Sequence, residues 1–187
     1  LGDVYKRQRE YTPLAWGADW LDVEFAVHGD SGVAAPWAAT AALGSSIGVG
    51  GPRGSAVLNG TPGSWLLAGD ETAIPAIRRF AALIPAGVAA RIVVETVSAG
   101  REIDIEAPVD IEWLHRGDAP SGSALISFLD DLAVEDPIGD DPFVFIAAEQ
   151  SIVKPGRALL DRWGIDSANA VVKGYWKRGE AEYHAPH

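Results

Sequence analysis

Any chemistry in this chain must come from a few polar clusters that close apolar runs. Ala68-Gly69-Asp70-Glu71-Thr72 ends one such run and opens a helical pattern. A glycine at that junction lets a ligand approach the backbone, and a helix start offers N–H groups to an anion. Asp70 and Glu71 suit the helix start electrostatically but repel a pyrophosphate, so the segment reads equally well as a helix cap without a ligand. Three further apolar runs end in Glu95 to Ser98, His115-Arg116-Gly117 and Ala147-Ala148-Glu149. His115 by itself reads as a core or surface histidine. Arg116 suits a phosphate or a solvated loop equally well. Ala147 and Ala148 leave room for a flat ligand or for tight helix–strand packing. Lys173, Lys177 and Arg178 concentrate positive charge near the C-terminus of a chain whose net charge is -11.

Hydrolytic machinery is missing. The sequence holds no G-x-S-x-G, H-E-x-x-H or G-x-x-x-x-G-K-[ST] pattern. It has no cysteine, which excludes thiolate metal sites and cysteine nucleophiles, and only four histidines. Ligand-type strand ends without an acid/base set point to a cofactor that does the chemistry. The acidic balance argues against nucleic acid as the main partner. No apolar stretch reaches the ~20 residues of a membrane helix, so no membrane insertion is expected, and a cytoplasmic protein fits the lack of cysteine.

The elements that carry these clusters follow from periodicity. Leu21 to His28 alternates, with Leu21, Val23, Phe25 and Val27 on one face, as a half-buried strand does. Ala34 to Ala42 reads as a short helix and Ile47 to Val49 as a strand. Asn59 to Gly63 is loop chemistry and the best domain boundary. Beyond it, strands at Ser64–Ala68, Arg91–Val97, Ile111–His115, Phe143–Ala147 and Ala170–Trp176 interleave with helices at Glu71–Leu83, Ser123–Ala133 and Ser151–Trp163. Pro155 and Gly156 should break or delay the last helix. Strand–helix alternation predicts an α/β domain with a parallel sheet and helices on both faces. Leu1 to Gln8 shows neither period and is set aside as a non-native remnant.

Five ordered segments resemble the siderophore-interacting protein family, flavoproteins built like ferredoxin–NADP reductases. They are Arg9-Glu-Tyr11-Thr12, Leu21-Asp-Val-Glu-Phe-Ala-Val-His28-Gly29, Gly32-Val-Ala34-Ala35-Pro-Trp37-Ala38, Trp65 to Ile77 around Gly69-Asp70-Glu71-Thr72, and Gly174-Tyr175-Trp176-Lys177-Arg178-Gly179. The resemblance implies the last part of an antiparallel flavin-binding β-barrel over residues 9–60, its first strands absent, and a nicotinamide-binding α/β domain over 61–187. It implies electron transfer from NADPH or NADH, or from a ferredoxin, through FAD to a ferric siderophore. Arg9, Tyr11, Thr12, His28, Gly32, Ala34 and Ala35 would then bind flavin, as would Tyr175 and Trp176 unless they are sheet-edge packing. Gly69 to Thr72 would meet the cofactors, and Arg116 is the best candidate for the ribose 2′-phosphate of NADPH. Lys173 and Lys177, on one side of an extended last strand, would dock the anionic siderophore together with Arg178. The chain departs from the family pattern at Leu14, Val33 and Ala35. A G-T-G-x-A-P loop would mark a general flavin or ferredoxin reductase, and Gly69-Asp70-Glu71-Thr72 stands in its place. A non-catalytic fragment without flavin is the other alternative.

Overall fold

A computed structural model describes residues 9–27, 33–51, 58, 60–132, 138–180 and 183. Its centre is a five-stranded parallel sheet in the order β5-β4-β3-β6-β7. The strands are β3 (Ser64–Asp70), β4 (Ala89–Thr96), β5 (Ile111–His115), β6 (Pro142–Glu149) and β7 (Ala170–Trp176). Every residue of β3 is buried, as is every residue of β6 after Pro142. Continuous apolar runs of this kind suit strands covered on both faces.

Two apolar layers do the covering. Helix α2 (Ile74–Ala81), entered through a 3-10 turn at Glu71–Ala73, packs Ile74 and Ile77 against Trp65, Leu67, Ile92 and Phe145. On the other face α3 (Ser123–Asp131) and α4 (Val153–Trp163) bring Leu125, Leu129 and Leu159 against Leu66, Val93 and Ile146.

Helix α4 is not broken at Pro155-Gly156. Pro155 sits in its first turn, where no intrahelical N–H bond is lost. Gly156 is a packing requirement, since a Cβ there would lie 2.7 Å from Val172 Cγ1 of β7. Gly69 likewise differs from its expected role. It lies inside β3, and a Cβ would meet Ala73 Cβ at 2.5 Å and the Ala147 carbonyl at 2.6 Å. Protein atoms fill the space that a side chain there would need.

The amino-terminal segment is a small antiparallel hairpin, β1 (Pro13–Trp16) with β2 (Leu21–Val23), followed by α1 (Ala34–Thr40). Strand β1 has no alternation long enough to read from sequence. The expected strand at Leu21–His28 ends at Val23, because β1 offers no partner beyond Pro13. Ile47 and Val49 are 60% and 73% exposed and form no strand. The hairpin leans on α2. Glu24 pairs with Arg78, and the Arg79 guanidinium stacks 4.3 Å from the Trp16 ring.

Candidate functional site

In a parallel α/β sheet, ligands bind beyond the carboxyl ends of the strands. Here β3, β4 and β6 each bear an inward-turned carboxylate at that end: Asp70, Glu95 and Glu149, all buried. Asp70 Oδ1 accepts the Thr72 amide at 2.9 Å and the Thr72 hydroxyl, while Oδ2 accepts the Glu149 amide at 3.1 Å and Trp176 Nε1 at 2.9 Å. Burial pushes the Asp70 carboxyl up to about 6, against the pull of those bonds and with help from the neighbouring Glu71 charge. Glu95 accepts the Gly122 amide at 2.6 Å and the Leu125 amide at 2.9 Å, at the start of α3. Glu149 accepts the Ser151 amide at 2.8 Å and the Arg178 amide at 3.1 Å. Burial alone would raise the Glu149 carboxyl, but the Ser151 bonds and Arg178 together hold it below its ordinary value.

These carboxylates occupy amides at the starts of the segments that lead into α2, α3 and α4. Part of the anion-binding capacity of those helix starts is therefore taken up internally. The cap at Asp70 is one of the two readings that its segment allows. Those at Glu95 and Glu149 are hidden in sequence, because each acid follows an apolar run and reads equally well as solvated.

The Arg9–Thr12 motif lies against the end of β7. Thr12 hydrogen-bonds the Tyr175 side chain, and Glu10 lies 3.9 Å from Lys173 Nζ. The Tyr11 ring is 4.6 Å from Phe25, which meets Trp37 edge-on at 6.1 Å. Burial raises the Tyr11 hydroxyl, and the nearby Arg9 charge opposes that rise. This shelf of half-exposed rings beside a guanidinium has the chemistry to receive a flat, anionic group. Ala34 and Ala35 begin α1 on the element that carries Trp37. His28 and Gly32 lie outside the described residues, as do Leu1 to Gln8.

Tyr175 is packed against the buried cluster under α2, with its hydroxyl raised by burial. Trp176 is held by Asp70. A bulge between Gly174 and Trp176 interrupts the alternation of β7, and the strand ends at Trp176. The expectation that Lys173 and Lys177 share one side of an extended strand fails for that reason. Lys177 pairs with Glu180 at 2.7 Å, and Arg178 reaches the Ser121 carbonyl at 3.2 Å.

A family model described as siderophore-interacting protein matches residues 63–179, and one described as siderophore-interacting FAD-binding domain matches residues 2–56. The chain belongs to the siderophore-interacting protein family. The second match begins inside the stretch that lacked any periodicity. Ferric vibriobactin reductase ViuB of Vibrio cholerae is 31% identical over 185 residues, covering 94% of this chain and 67% of that protein. The NADPH-dependent ferric-chelate reductase of Escherichia coli is 30% identical over 175 residues, covering 90% and 65%. A siderophore utilization protein from T. fusca has a crystal structure that superposes with a TM-score of 0.83 at 34% identity, covering 94% of this chain and 68% of that one. The chain spans 61% of the length of the uncharacterized Mycobacterium tuberculosis and Mycobacterium bovis proteins it also matches, at 32% identity over 87% of its own length. Among the described residues no helix is long and apolar enough to cross a membrane.

Proposed function

We propose that this protein passes electrons from a reduced nicotinamide through FAD to ferric iron held by a siderophore, in the cytoplasm. The observation that carries the reading is a convergence. The Arg9–Thr12 motif touches the end of β7 through Thr12–Tyr175 and Glu10–Lys173, and Trp176 there is tied to Asp70. The ligand edge of the sheet thus adjoins the segment that matches the FAD-binding model. The ferric reductases among the relatives support the same reading.

Bound FAD supplies the relay between a two-electron hydride donor and a one-electron acceptor. Arg9 and the hydroxyls of Tyr11 and Thr12 would hold its phosphates and polar edges, with Ala34 and Ala35 at the start of α1. The Tyr11–Phe25–Trp37 shelf excludes water from it. Asp70 fixes the Trp176 indole in one orientation as the aromatic wall of the site, while Tyr175 serves as packing. Glu71 and Thr72, only partly buried, face the nicotinamide donor. The iron-reduction step itself needs proximity and no proton donor.

Arg178, with Lys177 and Lys173, supplies positive charge for an anionic siderophore on an otherwise acidic protein. One nicotinamide yields two electrons and reduces two ferric ions, and Fe(II), poorly held by oxygen-rich ligands, is released. Residues 9–60 form the flavin side and residues 61–187 the nicotinamide side. A ferredoxin is the alternative donor.

The test is anaerobic. The purified protein, loaded with FAD, should lose its yellow absorbance on adding NADH or NADPH. A ferric siderophore should restore the colour while a chromogenic chelator records Fe(II). Bleaching without Fe(II), or failure to take up FAD, would reject the proposal.

A further inference from the structure

Arg116, the arginine best placed for a ribose 2′-phosphate, is already committed. Its Nε lies 3.4 Å from Glu95 Oε1, and a terminal nitrogen lies 4.0 Å from Glu71 Oε1. The guanidinium is mostly buried, with 16% of the side chain exposed. Glu95 is fully buried and takes two amides from the start of α3 as well. Arg116 Nε is buried yet makes no hydrogen bond, so the ion pair with Glu95 is what compensates its charge. Its backbone is fixed too, because its amide donates to the Thr96 carbonyl at 3.0 Å. Within the cluster itself two carboxylates face one guanidinium.

Glu71 is the exposed member, its side chain 31% accessible at the mouth of the sheet edge and its Oε1 also within 3.3 Å of the Thr96 hydroxyl. A carboxylate there accepts hydrogen bonds from a ribose 2′-hydroxyl and repels a 2′-phosphate. We infer that the Glu71–Arg116–Glu95 cluster selects an adenine dinucleotide with a free ribose 2′-hydroxyl, NADH, over its 2′-phosphorylated form. The inference rests on the nicotinamide reading of the preceding subsection. It sets this chain apart from the relative named as NADPH-dependent.

Calorimetric titration of the FAD-loaded protein with NAD+, NADP+, ADP-ribose and 2′-phospho-ADP-ribose tests it without any turnover. The unphosphorylated member of each pair should bind about tenfold tighter at low salt, where surface charge is least screened. Glu71→Gln should bring the two members of each pair within about threefold of one another, mostly by strengthening the phosphorylated one. Glu71 is partly exposed and bears no buried cap, so this variant should fold, which circular dichroism would check. Equal or tighter binding of the phosphorylated ligands to the wild type overturns the inference and leaves the nicotinamide reading standing. An unchanged ratio in Glu71→Gln does the same. If neither dinucleotide binds, the nicotinamide reading fails and the inference with it.

Discussion

The sheet of residues 64–176 and the segment of residues 9–51 have comparable apolar patterning and opposite fates. The strands at the centre of the sheet are buried almost throughout, whereas no described residue of 9–51 is fully buried. Among the described residues, ten of the thirteen exposed large apolar ones lie between Tyr11 and Val49. The contrast separates two things that periodicity merges. An apolar stripe records which face of an element wants burial, but the burial itself must come from a second surface. The sheet has α2 on one side and α3 and α4 on the other. The hairpin has one edge of α2, through Arg78 and Arg79.

The largest expected effect tests that contrast in the core. Phe145→Ala, at a ring 1% exposed, should cost about 3–5 kcal/mol in urea unfolding. Leu21→Ala, at a side chain 39% exposed in the hairpin, should cost under about 0.5 kcal/mol. Similar costs at both sites would show that the hairpin carries a core of its own.

Next comes Asp70. Its carboxyl is raised from 3.8 to about 6, so its contribution to stability is fully present below pH 3.8 and is lost as pH rises through 6. A shift of that size corresponds to about 3 kcal/mol. Glu149 acts with the opposite sign, since its lowered carboxyl contributes stability above its ordinary value and loses it as pH falls. Between pH 4 and 7 the Asp70 contribution should dominate. Urea midpoints followed across that window should fall with rising pH in the wild type, and more shallowly in Asp70→Asn. An identical slope in both would assign the pH dependence elsewhere.

A smaller effect sharpens the link between the two regions. Glu24→Ala should loosen the hairpin by under about 1 kcal/mol, because the pair with Arg78 is partly solvated. Hydrogen exchange should speed up at residues 13–23 and stay unchanged at residues 64–70. The smallest effect belongs to the proposed docking charges. Lys177→Ala should alter siderophore affinity less than Arg178→Ala, since Glu180 already pairs with Lys177. Measuring both along a salt series would reveal the difference at low salt, and a larger effect of Lys177→Ala would reverse the assignment.

Legibility in the sequence followed the same divide. The central strands β3, β4 and β6 were readable because each holds a dense apolar run buried on both faces. The edge strands β5 and β7, only partly buried, were readable from short β-branched and aromatic runs bounded by turn residues. Strand β1 was unreadable, because Pro13-Leu-Ala-Trp16 is four residues long and takes its form from pairing with β2. The alternation of Leu21–Val27 was real but outran its partner strand. At the site, Arg9 to Thr12 and Tyr175-Trp176 were found through resemblance, and the structure brings them together. The caps at Glu95 and Glu149 were illegible for a different reason. Nothing local tells whether Glu95 points to water or takes amides from a helix that starts 27 residues later.

The bonding of Asp70 also bears on the order in which the molecule assembles. Two of its donors come from far along the chain, the Glu149 amide 79 residues away and the Trp176 indole 106 residues away. Closing loops of that length is entropically late, so β3 can pair with its neighbours before this carboxylate finds all its partners. The indole of Trp176 then reaches its final environment only when β7 adds to the edge of the sheet. Because seven tryptophans fluoresce together, the difference between the refolding traces of the wild type and Trp176→Phe should mark the step at which the last strand docks and the sheet is complete.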